Sequence, residues 1–173
     1  ALLALTSSLG AFALTPAQLT ILKTAILAET DPTFVSYRVA GATGAMADWY
    51  SQPSAPAFIV WKTAITTQQV GQAMNSNELA GLATANTNRL QVLAAFSGGT
   101  FNPSMSDFRA GMDNIFSGAG GVITRAQLLA LYKRTALRGE KLYATGTGSD
   151  AVPGLLTYEG PILNTDIVLA LAS

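Results

Sequence analysis

The chain has 173 residues, 49% hydrophobic and 12% charged, with ten basic and ten acidic side chains, no cysteine and no histidine. That length can bury a real core in one domain, and that composition argues against disorder, which needs few apolar residues and much charge. The missing residue types exclude disulfides, thiolate nucleophiles, His- or Cys-ligated metals and every Ser-His-Asp or Cys-His arrangement, and the zero net charge gives no global pull toward nucleic acid or an anionic membrane.

Residues 1–13, ALLALTSSLGAFA, are apolar, and Ala11-Phe12-Ala13 has the A-x-A form of a signal-peptidase site. No basic n-region or initiator Met accompanies it, and the apolar stretch falls short of the ~20 residues a membrane-spanning helix needs. An N-terminal arm packed on a neighbour or on the core is expected, with a signal or anchor remnant as the alternative.

Leu14-Thr15-Pro16-Ala17-Gln18 opens the first helix. Thr15 suits the N-cap, Pro16 suits N1, where its missing N–H costs nothing, and Gln18 completes a capping box. Leu19, Leu22 and Ile26 continue it as an apolar stripe, widened by Ile21 and Ala25, until Asp31-Pro32 stops it. A second short helix is expected from Thr43 to Tyr50, carrying Met46, Trp49 and Tyr50. Pro53 and Pro56 then force a loop. Residues 57–61, AFIVW, fit a strand or a buried helical turn equally well.

Thr66-Thr67-Gln68-Gln69 is a second T-x-x-Q start, for a helix running to Met74. A helix over 84–96 should present Leu90, Leu93 and Ala94 on one face and stop at Ser97-Gly98-Gly99. Asn102 as N-cap and Pro103 at N1 predict the next helix, with Met105, Phe108, Met112, Ile115 and Phe116 at helical spacing. After the turn at 117–121, Thr124-Arg125-Ala126-Gln127 reads as a third T-x-x-Q box. It opens a long amphipathic helix that gives way to the Gly/Thr run before Asp150. Leu155–Tyr158 and residues 162–171 read as extended or hairpin segments.

Within 124–150, Arg134, Arg138 and Lys141 fall at i, i+4, i+7 and would share one helix face, opposite Leu128, Leu131, Tyr132 and Leu142. That face is the candidate interaction surface. An ordinary solvated face, an acidic protein partner and weak contact with DNA phosphate all stay open. Ala144-Thr145-Gly146-Thr147-Gly148-Ser149-Asp150 lacks the lysine and the strand–loop–helix setting of a phosphate loop, so it reads as a flexible helix exit. Asp107 and Asp113 lie on different faces of one helix and form no dyad. Trp49, Tyr50 and Trp61 bracket the proline loop as core anchors or as a binding platform. No catalytic, cofactor or metal residues emerge, and a non-enzyme is expected.

Four more runs are distinctive: Ser54-Ala55-Pro56-Ala57-Phe58-Ile59-Val60-Trp61-Lys62-Thr63; Asn102-Pro103-Ser104 with Arg109-Ala110; Lys133-Arg134 with Arg138-Gly139-Glu140-Lys141-Leu142-Tyr143-Ala144-Thr145-Gly146-Thr147-Gly148; and Leu156-Thr157-Tyr158-Glu159-Gly160. With the opening at Leu14, they resemble, in order, a family of small uncharacterised proteins of tailed bacteriophages and prophages. The likeness spans residues 14 to 163, and the chain departs from the family at both ends. The resemblance carries over no catalytic residue. It implies a virion structural protein, foremost a head–tail connector, adaptor or neck ring subunit contacting copies of itself and neighbouring virion proteins, with no membrane role. Tail-tube, tail-terminator and capsid-decorating roles are the alternatives within the virion. A DNA-packaging-associated binding protein or a carboxylate-dependent enzyme is the alternative outside that class. The expected fold is mainly α: a compact multi-helix bundle over 14–150, an arm at 1–13 and an extended or β-hairpin segment over 151–173, with both ends adding onto neighbours.

Overall fold

Thr15, Pro16 and Gln18 start the first helix as their chemistry requires: Gln18 N–H donates to the Thr15 hydroxyl and Thr15 N–H to Gln18 Oε1. The computed structural model describes residues 14–173, and the expected arm at 1–13 lies outside the described residues. The fold is mainly α. The first half runs α1 (Pro16–Ala28), α2 (Pro32–Val39), α3 (Thr43–Tyr50), β1 (Ile59–Trp61), β2 (Ile65–Thr66), α4 (Thr67–Gln72), α5 (Ser76–Ala80) and α6 (Thr84–Phe96). The second runs β3 (Thr100–Phe101), α7 (Ser106–Ile115), a 3-10 turn at Ala119–Gly121, α8 (Val122–Leu131), β4 (Lys133–Thr135), α9 (Arg138–Lys141), β5 (Ala144–Thr145), β6 (Leu155–Leu156) and α10 (Asn164–Ala172).

These elements form two compact units rather than one helical domain with a separate tail. Residues 14–57, 136–145 and 156–173 make the first, and 58–135 with 146–155 make the second. The division follows the buried side chains. Leu22, Ile26, Phe34, Met46, Tyr50, Tyr143, Ile162, Ile167 and Ala170 share one core, and Ile65, Val70, Phe101, Met112, Ile115, Phe116, Leu128 and Tyr132 share another.

In the first unit, Asp31-Pro32 does more than stop α1. Asp31 Oδ1 accepts the N–H groups of Thr33 and Phe34, so the same dipeptide caps α2, a helix the sequence pattern had not suggested. Phe34 is thereby placed fully inside. The carbonyls at the end of α1 are taken up by Arg38, whose Nη1 donates to Ile26 O at 2.6 Å and Leu27 O at 2.9 Å. A cation there also suits the negative end of the helix dipole.

The C-terminal expectation is corrected. Within that segment Leu155–Leu156 forms a strand, whereas Asn164–Ala172 forms α10. Ile167 and Val168 favour a strand locally, but Ile167 and Ala170 are fully buried at i, i+3, a helical spacing. Asp166 secures the helix start by accepting the Leu163 N–H at 2.9 Å. α10 packs on α1 and α3.

In the second unit, β1 pairs antiparallel with β4, in the register Ile59↔Thr135, Val60↔Arg134 and Trp61↔Lys133, and β2 pairs with β3. The long helix expected from Thr124 therefore does not form. α8 begins at Val122 and ends at Leu131, because Val60 is fully buried and its strand needs a partner. Pairing along β4 outweighs the helix preference of Lys133 and Arg134. Thr124 caps nothing. It lies inside α8, fully buried, and its hydroxyl accepts Asn75 N–H at 3.1 Å. The N-terminal N–H groups of α8 go to Glu78, whose carboxylate accepts from Ile123 at 2.9 Å and Thr124 at 2.7 Å. α7 starts at Ser106, later than expected, because Asn102 closes a local turn on Ser104 instead of capping the helix. Met105 and Ala94, assigned to apolar faces, are exposed.

The Gly/Thr run packs on the free edge of β1 instead of hanging as a flexible exit. Ile59 N–H donates to Gly148 O at 2.7 Å, and Gly154 N–H to Ile59 O at 2.8 Å. Gly148 has φ +64°, and a Cβ on it would lie 2.2 Å from the Phe58 ring, so both conformation and space require glycine.

Candidate functional site

The three basic residues singled out by spacing do not share a helix face. Arg134 sits on β4 opposite Val60, in the second unit, while Arg138 and Lys141 begin and end α9 in the first. A single basic stripe across all three therefore has no helix to stand on. Arg138 and Lys141 do line a common cleft.

That cleft, about 470 Å³, is bordered by Glu29, Asp31, Trp49, Tyr50, Arg138 and Lys141. Local backbone pairing positions its basic side. Ser54 N–H donates to Ala136 O at 2.9 Å and Arg138 N–H to Gln52 O at 2.8 Å, holding α9 beside the end of α3. Arg138 lays its guanidinium over Trp49, with Cζ 3.7 Å from the ring centroid. Phe34 supports the aromatic wall, 5.7 Å from Trp49 and 5.4 Å, edge-on, from Tyr50. A side chain at Gly139 would crowd this wall, since a Cβ would meet the Ile162 side chain at 2.4 Å.

The acidic wall is already engaged. Glu29 accepts N–H bonds from Thr30 and Asp31, and Asp31 caps α2. The donors are not. Trp49 Nε1, Tyr50 Oη and Arg138 Nη1 are each buried without a hydrogen-bond partner among the described residues. Leaving such an atom unpaired costs about 1–3 kcal/mol, so three around one cleft are a notable concentration. Burial first, and Glu29 second, push the Tyr50 phenol above the usual tyrosine range, with Arg38 acting in the opposite sense. The phenol stays protonated and able to donate.

The second unit has its own arginine–tryptophan pair. Arg109 Cζ lies 4.0 Å from the Trp61 centroid, and Lys133 Nζ 5.9 Å from it. Asp113, Arg125 and Tyr132 complete a cleft of about 600 Å³. Here the arginines are tied down: Arg109 Nη1 donates to Pro103 O, and Arg125 Nη1 to Phe116 O and Gly118 O. Tyr132 Oη alone in this cleft is a buried orphan. Burial draws the Arg109 guanidinium below the usual arginine range, against the pull of Asp113.

Two buried carboxylates escaped the sequence reading, and both are structural. Glu140, 1% exposed, accepts the N–H groups of Leu137 at 2.8 Å and Gly160 at 2.9 Å. Asp166 holds the start of α10. The available signal was L-x-x-E and L-x-x-D, an acid three residues past an apolar N-cap. Asp107 and Asp113 are both exposed on α7. Among the described residues, no group of three or more His, Cys, Asp or Glu is placed to hold a metal ion, and no helix is long and apolar enough to cross a membrane. The chain matches no family model, no curated protein and no solved structure.

Proposed function

We propose that this chain is a structural subunit of a tailed-bacteriophage particle, made in the bacterial host cytoplasm and assembled as a head–tail connector, adaptor or neck ring. Its work is then protein–protein contact and not catalysis, and its partners are copies of itself and neighbouring virion proteins. The motif resemblance over 14–163 points toward such proteins.

The observation that carries the reading is the apolar outer surface of the first unit. α10 has one charged side chain, Asp166, and it is buried on the helix's own cap. Leu163, Val168 and Leu169 are 47%, 48% and 54% exposed, and on α1, against which α10 packs, Ile21 and Leu27 are 45% and 58% exposed. A helix apolar on both faces is normally covered on both, so this surface suits contact with another protein chain. Head-to-tail contacts of that kind close into rings when the rotation between copies permits. Of the two ends expected to reach neighbours, the C-terminal one would do so through the outer face of α10 and not by strand addition.

Mass photometry of the purified protein, with mass spectrometry of purified particles, tests the reading. A discrete ring and presence in the particle are expected. A monomer at micromolar concentration that is absent from particles sinks it.

A further inference from the structure

We propose that the cleft of the first unit is a binding site for a single carboxylate. The inference rests on that unit's geometry alone and does not depend on a role in a virion. Trp49 Nε1 and Arg138 Nη1 can only donate hydrogen bonds, and the Tyr50 hydroxyl can donate as well. All three atoms are buried without a partner among the described residues, on residues that line one cleft, and Tyr50 as a whole is only 3% exposed. The group that satisfies such a set is an oxygen acceptor with several lone pairs.

The charge of the lining narrows the choice. Arg138 and Lys141 are balanced formally by Glu29 and Asp31, so each negative charge on a ligand counts against a neutral lining, twice for a dianionic phosphate and once for a carboxylate. A carboxylate brings one negative charge and two coplanar oxygens, and this shape matches the flat fork of a guanidinium. Each acid already accepts backbone N–H bonds through one carboxylate oxygen, and neither accepts from the three donor atoms, which have no partner among the described residues. A cleft of about 470 Å³ also has room for the body that bears the carboxylate.

The donor atoms are shielded from solvent at rest, so entry turns the Arg138 guanidinium over the face of Trp49 and brings Nη1 to the ligand. Binding therefore changes the surroundings of the Trp49 indole. The carboxylate can arrive on a free small acid or on an acidic side chain of another polypeptide.

The sequence contains two tryptophans, so a proton–nitrogen correlation spectrum shows two indole signals, which Trp61→Phe assigns. The probes are acetate, a Gly/Ser peptide carrying one glutamate, and phosphate, with chloride at matched ionic strength as the control. Acetate should shift the Trp49 signal saturably while the Trp61 signal stays in place, and Arg138→Gln should weaken that binding about tenfold or more. Should Arg138→Gln lose its fold, Arg138→Lys keeps the charge without the fork and should weaken binding about threefold or more. Peptide binding about tenfold tighter than acetate would identify a polypeptide side chain as the source, and equal binding a free acid; either supports the site. The proposal is overturned by no saturable shift with acetate or peptide, by a shift that chloride reproduces, or by tighter binding of phosphate than of either carboxylate. Undiminished binding by folded Arg138→Gln or Arg138→Lys overturns it as well.

Discussion

Both units lay an arginine on a tryptophan, at 3.7 Å in the first and 4.0 Å in the second, yet the two pairs are completed differently. In the second unit, Arg109 is bonded to Pro103 O and Arg125 to Phe116 O and Gly118 O, so the charges work as braces between backbone segments. In the first, Arg138 Nη1 is buried with no acceptor among the described residues, and so are its neighbours Trp49 Nε1 and Tyr50 Oη. A cation–aromatic pair is a strut when backbone carbonyls fill its remaining donors, and a candidate site when they do not. The contrast separates the units more sharply than composition does, and it can be attacked from several directions.

The largest expected effect is alkaline. Burial, named first in each case, raises the phenols of Tyr50, Tyr143 and Tyr158 in the first unit but only that of Tyr132 in the second. A phenol whose folded pKa is raised binds more protons folded than unfolded. Its stabilisation is whole below the unfolded value near 10 and is lost as pH rises toward the folded one, about 12 for Tyr158. With three such groups against one, the first unit should lose stability about three times as steeply above pH 10. Single-tryptophan variants report each unit: Trp61→Phe leaves the reporter in the first, and Trp49→Phe leaves it in the second. Fluorescence followed from pH 9 to 13 should show the first unit opening at lower pH. Simultaneous opening, or earlier opening of the second, contradicts the assignment.

Next in size are the core truncations. Phe34 and Phe116 are each fully buried, one in each unit. Phe34→Ala and Phe116→Ala should each cost about 3–5 kcal/mol through lost burial and an unfilled cavity. Urea unfolding with the same two reporters gives both the size of the loss and the unit that bears it. A loss under about 1 kcal/mol in either would mean that its ring is not a core anchor.

Below these stand two glycines. A Cβ at Gly139 would lie 2.4 Å from the Ile162 side chain, whereas one at Gly121 would lie 2.0 Å from Phe116 O. The first neighbour is a side chain, buried and stiff at its branched β-carbon yet able to shift, whereas the second is backbone and must be displaced. Gly139→Ala should therefore fall near the lower end, and Gly121→Ala near the upper end, of the roughly 1–3 kcal/mol that overpacking costs. Denaturation midpoints reversed in order would overturn that distinction. Because Gly139 lies beside Arg138, the first variant should also disturb the Trp49 environment.

These comparisons show where local chemistry was enough to read the fold. The boxes at Thr15/Gln18 and Thr66/Gln69 and the helix from Thr43 to Tyr50 follow from adjacent residues, and the structure has them as read. β4 was not legible, because Lys133 and Arg134 favour a helix until Val60 supplies a strand to pair with. α10 was not, because its helical character lies in which side chains α1 and α3 bury. Of the candidate surface, Arg138 and Lys141 do come together, though around a cleft and not along a helix. The Trp49 and Tyr50 wall facing them was invisible to spacing, since nothing local links residues 49–50 to 138–141.

The smallest effects test the T-x-x-Q signal itself, which occurs three times and means two different things. Thr15 and Thr66 are true N-caps on exposed helix starts, each accepting the N–H of the glutamine three residues on. Replacing such a cap with alanine removes one hydrogen bond whose donor can turn to water, so Thr15→Ala and Thr66→Ala should each cost about 1 kcal/mol. Thr124 is fully buried inside α8, and its hydroxyl accepts Asn75 N–H across the second unit. Thr124→Ala would take the acceptor from that half-buried N–H and remove fully buried volume, for about 1–3 kcal/mol. The order should therefore be Thr124→Ala above the two caps, measured as shifts in urea midpoint at constant slope. Equal losses at all three positions would mean that Thr124 works as a cap after all, and that α8 begins where the sequence pattern had put it.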